Sequence, residues 1–337
     1  MKGSASVRGM VGAASAMFLV GTLTGVSATI NDYPIFGGQA LRYALAALVL
    51  FAAAGVHARR APRGRTIAGP HRAGRRPTPR EVLLLLALAA TGLAGFNVFV
   101  VMATRHATPS TIGTVIATVP VVLALVGPLL ERRRPSPLTV AAALVVTAGA
   151  ALANGLGGGG LTGLLLSMGA LAGEVGFSLL ALPLLPGLGP IRVSAYSAAF
   201  AVPMLLIAGL VADGAGFLRV PTASEAAALL YLSAVVTTIA FFLWYDALPR
   251  LGTDRAGLFA GVIPVSAAII TVVLGLGRPG PAELAGVGLV AVGIVAGLAP
   301  RPLRSRPPHA TPAIPPPSGC AVGAPPRGGC AAPTRSR

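Results

Sequence analysis

Residues 82–104 read VLLLLALAATGLAGFNVFVVMAT, with Arg80 and Glu81 before them and Arg105 after. A run of that length without a charge is long enough for a helix to cross the hydrocarbon core, which takes about 20 apolar residues. Cutting the rest of the chain at its Gly, Pro and charged punctuation gives nine more predominantly apolar runs of similar length. The ten are Met10–Ile30, Gly37–Val56, Val82–Thr104, Ser110–Leu130, Leu138–Asn154, Leu161–Leu182, Ile191–Val211, Glu225–Leu248, Ala256–Leu276 and Ala282–Leu298. The first, although Arg8 precedes it, is read as a span and not as a cleaved signal because nine others follow.

Composition agrees with the runs. Of 337 residues 54% are hydrophobic and 10% charged, and the mean hydropathy is +0.80. A soluble domain carries about 25% charged residues, so an ordinary water-facing surface is excluded. The net charge of +17 comes almost wholly from arginine, Lys2 being the one lysine. With the N-terminus inside, 22 of the 26 basic residues fall in inside segments, and Arg42, Arg105, Arg219 and Arg278 are the four others. That bias predicts a multi-pass protein of the cytoplasmic membrane with both termini cytoplasmic. The basic loop from Ala58 to Arg80 and the Pro- and Arg-rich tail from Arg301 then face anionic lipid head groups, or serve only as orientation signal and disordered segment. Nucleic acid is not an expected partner.

Several functions are disfavoured. Lys2 cannot belong to a phosphate-binding loop of the GxxxxGK[ST] type. Cys320 and Cys330 lie in the tail, and His57, His71, His106 and His309 are scattered, so no metal site, disulfide framework or cofactor is expected. A membrane-embedded enzyme would need a nucleophile or metal constellation, and no HExxH, paired intramembrane Asp or deep His is present. A channel would call for a ring of charges or a filter-like polar segment.

An offset of 144 residues places Pro120 on Pro264, Ala103 on Ala247, Gly113 on Gly257, Val121 on Val265 and Ala124 on Ala268. The expected organisation is a first five-helix repeat over 1–157, a second over 158–300, and a disordered tail over 301–337. Five is odd, so consecutive copies would be inverted in the membrane, as in many secondary transporters. The fold class is therefore an all-α integral membrane protein with ten transmembrane helices in two inverted five-helix repeats.

Tyr33-Pro34, Leu41-Arg42-Tyr43 and Thr108 to Val121 resemble the EamA-type members of the drug/metabolite transporter superfamily. So do Leu230-Tyr231-Leu232-Ser233 through Thr237, Leu243-Trp244-Tyr245-Asp246-Ala247-Leu248, Gly252 and Ile263-Pro264-Val265, which are similar to the family's signature in its eighth and ninth spans. The resemblance covers about residues 10–300 and implies a ten-helix secondary transporter, commonly an exporter of metabolites, amino acids or drug-like molecules. It also implies an acidic residue after the fourth and the ninth spans. Glu131 fits the first place; Gly275 occupies the second, with Arg278 soon after.

Glu174 is the ionisable residue nearest the middle of a span. A charged side chain there costs roughly 2.5–3.5 kcal/mol on insertion scales and usually faces a cavity or partner. At helical spacing Ser167, Ala170, Glu174 and Ser178 share one face, which is expected to line the cavity. Glu174 becomes a candidate proton carrier or counter-charge for a cationic cargo; the alternative is a protonated Glu bonded to a neighbouring helix. In the eighth span Thr237, Thr238, Phe241, Trp244 and Tyr245 offer hydroxyls and rings for a small-molecule substrate, or an interfacial aromatic anchor. Asn97 is a cargo contact or an interhelical hydrogen bond. Asp246 and Arg250 have the spacing of a structural ion pair. Arg42, just inside the outer end of the second span, could snorkel, pair with Asp32 or attract an anion, and the resemblance gives it, with Pro120 and Pro264, a structural or gating role. Gly21 to Gly25 and Gly293 to Gly297 have the GxxxG spacing of close helix packing. A homodimer is compatible with all of this.

Overall fold

The computed structural model describes residues 2–30, 32–60, 76–155, 157–275 and 278–299. The basic loop over 61–75, the tail over 301–337 and both cysteines lie outside the described residues. Among them the regular structure is helical, joined by short turns and irregular connections, with one isolated β-bridge between Ala107 and Gly159. Ten helices are long and apolar enough to cross a membrane: Val7–Ser27, Ile35–Arg59, Pro79–Ala103, Pro109–Leu130, Pro137–Asn154, Leu161–Leu179, Leu185–Phe217, Ala223–Leu251, Thr253–Val273 and Pro281–Leu298. They match the expected runs within a few residues at most ends. In hydrocarbon a helix is the one open-ended backbone form that satisfies its own polar groups.

The ends are set by local chemistry. Thr78 and Thr222 each make a capping box with a glutamate three residues on, Glu81 and Glu225, which satisfies orphan N–H groups at the helix start. Pro79, Pro109, Pro137 and Pro281 occupy first turns, where a missing N–H costs nothing. The seventh span starts earlier than expected, at Leu185, because Pro186 opens a turn of helix that bends at Gly189 (φ 74°) before the long straight part begins. Gly252 (φ 82°) separates the eighth span from the ninth, a conformation that L side chains rarely adopt.

Besides the seventh, four of the spans are interrupted. The third contains a π-helical segment, Ala89–Gly95, and the eighth contains another, Leu232–Ile239; their first residues are 143 apart. The fourth span is broken at Ala117 and Thr118, and the ninth passes through a tight turn of helix at Phe259–Gly261. Pro120 and Pro264 each lie in the turn that follows the break. Local irregularities thus recur at the spacing by which the sequence repeats.

Glycines set the closest crossings. A Cβ on Gly149 of the fifth span would stand 2.7 Å from the Gly286 carbonyl oxygen and the Val290 nitrogen of the tenth. Gly21 abuts Ser266 and the Ile263 carbonyl, Gly25 meets Ile270, and Gly293 meets Val146 and the Ala142 carbonyl, so both GxxxG pairs are packing surfaces. Leu48, Leu83, Leu165 and Val295 are exposed on the outside of the bundle, where hydrocarbon rather than water solvates them.

Candidate substrate cavity

Eight of the ten spans, all but the seventh and tenth, enclose a cavity of about 300 Å³. Its wall is mostly apolar, and its polar members include Arg42, Asn97, Asn154 and Glu174. Pro120 and Pro264 line it beside their helix breaks, and Phe241 and Trp244 line it from the inner turns of the eighth span. Tyr43, Phe96 and Phe177, not singled out as site residues from the sequence, complete an aromatic side: Phe177 and Phe241 are 4.7 Å apart between ring centres, Tyr43 and Phe241 6.4 Å.

Glu174 is half-buried and faces this space. Its carboxyl makes no hydrogen bond or ion pair among the described residues, so the bonded-to-a-neighbouring-helix alternative is not what is found. The rest of its expected face does not line the cavity. Ser167 and Ala170 are fully buried and Ser178 is 2% exposed. The reason is the glycine-rich neighbouring surface: Gly169 takes the ring of Phe99, and Gly173 lies against the Thr91 carbonyl, which brings the third span onto the sixth. Ser167 donates to the Gly163 carbonyl at 2.8 Å. Ser178 accepts from Trp244 Nε1 at 3.2 Å, so it orients a cavity ring without touching the cavity.

The eighth span is likewise divided. Thr237 and Thr238 do not line the cavity; their hydroxyls donate to the carbonyls of Leu232 and Ser233 at 3.0 and 2.9 Å, five residues back, inside the π segment. Tyr245 is also outside the lining, fully buried, with its hydroxyl donating to the Phe177 carbonyl at 3.2 Å. Asn97 lines the cavity, and its amide donates to Leu93 of its own helix at 2.7 Å rather than across helices. Asn154 went unnoticed because it closes a span; a lone amide at the end of an apolar run was the available signal.

Arg42 neither snorkels nor pairs with Asp32. It is 5% exposed, donating from Nε to Thr237 Oγ1 at 2.6 Å and from Nη1 to Gln39 Oε1 at 3.2 Å, with its guanidinium 5.3 Å from the centre of the Tyr43 ring. Asp246 and Arg250 form a two-bonded pair at 2.9 and 2.7 Å, and Arg8 approaches the same carboxylate at 3.7 Å. These three lie at the end of the bundle, away from the cavity.

The cavity reaches Asn154, the last residue of the fifth span, and Gly113, near the start of the fourth. Towards the opposite face the fourth and ninth spans close on each other: Gly257 meets Leu123, and Gly127 meets Thr253. Beyond that seal, Arg133 holds Asp254 with bonds of 3.0 and 3.5 Å and Glu131 with one of 2.7 Å, while Thr253 donates to Glu131 at 3.0 Å. Hydrogen bonds to Asp254 and then to Glu131 raise the Arg133 pKa above the ordinary arginine range. Glu131, the acid expected after the fourth span, is thus spent on joining the two halves of the chain, whereas Gly275 offers no side chain at the other face.

A bundle of ten lipid-compatible helices around a central cavity, with helix breaks at its wall and a seal on one side, is the build of a membrane transporter. The chain belongs to the EamA-like transporter family, whose model matches twice, over residues 7–155 and 161–297. An uncharacterized transporter of Bacillus subtilis (strain 168), YetK, is 26% identical over 272 residues, covering 78% of each protein. A solved crystal structure shares the fold with a TM-score of 0.69 at 22% identity, over 88% of this chain and 97% of that one.

Proposed function

We infer that this protein is a secondary transporter of the cell membrane that exports a small metabolite, amino acid or drug-like molecule by alternating access. The repeats over 1–157 and 158–300 sit in opposite orientations, both termini are cytoplasmic, and the basic loop and tail meet anionic lipid. Export, rather than uptake, follows from the family resemblance. The observation that carries the mechanism is the Glu174 carboxyl, which faces a largely apolar cavity without a protein partner. Ionisable groups in such places mark substrate or proton paths, and a carboxyl that gains and loses a proton there couples cargo to the proton gradient. The close crossing of the fourth and ninth spans and the Arg133 ion pairs beyond it are what a carrier closed on that side and open to the other would have.

The test is a cargo screen in reconstituted vesicles with an imposed pH gradient, recording substrate flux and internal pH for wild type and Glu174→Gln. Substrate-dependent proton movement that is lost in the variant is expected. Full gradient-driven transport by Glu174→Gln would remove the proton-carrier role.

A further inference from the structure

Arg42 is a buried cation whose hydrogen-bonding capacity is mostly unspent. A guanidinium has five N–H donors; one goes to Thr237 and one to Gln39. Among the described residues no carboxylate lies within ion-pairing distance of it, and it does not pair with Glu174 although both line the central cavity. The one sealed, unpartnered side-chain atom among the described residues is Ser194 Oγ, so Nη2 of Arg42, the guanidinium nitrogen that makes no hydrogen bond among them, is open to space. That space has two parts. Arg42 lines the central cavity and also a second one of about 200 Å³ between the first, second and eighth spans, where Ser27, Tyr33 and Gln39 stand. Arg42 is the lining residue the two have in common.

A desolvated charge without a counter-ion is costly, and the missing anion has to come from outside the chain. The geometry selects its chemistry. A single planar guanidinium matches a carboxylate edge with two parallel bonds. One guanidinium balances the single charge of a carboxylate but leaves a phosphate dianion with an excess charge, which no further cation in the cavity wall offsets among the described residues. Tyr43, Phe96 and Phe241 supply apolar and aromatic wall for the remainder of the molecule. We propose that Arg42 is the anion-binding pole of the cargo site and that the cargo is a carboxylate with an apolar, ring-sized body. Thr237 and Gln39 are positioning residues that hold the guanidinium in place. This rests on the reading of the central cavity as the transport site.

Trp244 is the single tryptophan of the chain and lines the cavity, so its fluorescence reports occupancy directly. The full chain in lipid nanodiscs is titrated with 3-phenylpropionate and with its neutral analogue 3-phenylpropanamide. The acid should give a saturable change in Trp244 emission, with the amide about tenfold weaker or more. Arg42→Gln should raise the half-saturation for the acid by about tenfold to a hundredfold and leave the amide unchanged, with Arg42→Lys in between. An amide that binds as well as the acid, an acid response that ignores Arg42→Gln, or no saturable response to the acid overturns the proposal. The acid-against-amide comparison needs only wild type, so it stands even if Arg42→Gln does not fold. Acid binding without flux in vesicles would keep the Arg42 site and count against the transport reading; flux of neutral or cationic cargo indifferent to Arg42 would do the reverse.

Discussion

Asp254→Asn should unlatch one face of the bundle. Asp254 is 3% exposed at its side chain and meets Arg133 with bonds of 3.0 and 3.5 Å, while Arg133 is 37% exposed and keeps Glu131 at 2.7 Å when Asp254 is neutralised. Breaking a fully buried pair costs about 3–5 kcal/mol, and a surface pair is worth about 0–1 kcal/mol. The half-exposed geometry, with a second acid still in place, sets the loss between these, at about 1–2 kcal/mol. That is roughly a 5- to 30-fold rise in the population in which the fourth and ninth spans separate at this face. The readout is alkylation of Ala256→Cys, a fully buried position just inside the seal, in a background with Cys320 and Cys330 replaced by Ser. A membrane-impermeant maleimide added to the Arg133 side should label faster by that factor in Asp254→Asn. Arg133→Gln should act in the same direction, and the double variant should label more slowly than the product of the two single effects, because both substitutions remove the Arg133–Asp254 interaction. Labelling rates within twofold of wild type, or fully multiplicative effects, would refute the latch.

Gly149→Ala should destabilise the chain by about 1–3 kcal/mol, because the added Cβ would fall 2.7 Å from backbone atoms of the tenth span and the two helices must move apart; an unchanged melting temperature in detergent would contradict the close crossing. Arg250→Ala should change stability by no more than about 0.5 kcal/mol, since its bonds to Asp246 are of the part-exposed helical kind, and a loss of flux in that variant would assign the pair a part in transport that its position does not suggest.

The ten spans were legible because hydrocarbon imposes a simple rule, a predominantly apolar run about 20 residues long, and the few charges inside the runs, such as Arg42 and Glu174, do not break it. Ends were less legible: hydropathy alone starts the third and eighth runs at Val82 and Glu225, a few residues past the capping boxes at Thr78 and Thr222, and at Leu185 the nearby prolines hide a short turn of helix. The cavity was harder. Helical spacing puts Ser167, Ala170, Glu174 and Ser178 on one side of the sixth span, but it cannot say what packs there, and of the four only Glu174 lines the cavity. Gly169 and Gly173 admit the third span so closely that Glu174 and the neighbouring Phe177 face the open space while both serines are covered. Likewise Thr237 and Thr238 looked like cargo ligands, whereas widened helical turns had already claimed their hydroxyls. Arg42 was visible as an anomaly, and its burial against Thr237, 195 residues away in sequence, was not.

The paired π-helical segments bear on ancestry. A π turn closes through i→i+5 bonds and so accommodates one residue more than an α turn. Ala89–Gly95 and Leu232–Ile239 hold that surplus at matching places in two stretches that each match the same family model. Two separate insertions would have had to strike corresponding positions by coincidence; a single insertion in an ancestral half-length gene, copied when that gene doubled, needs no coincidence. On a single origin, homologues of either half should carry the widened turn in the same register.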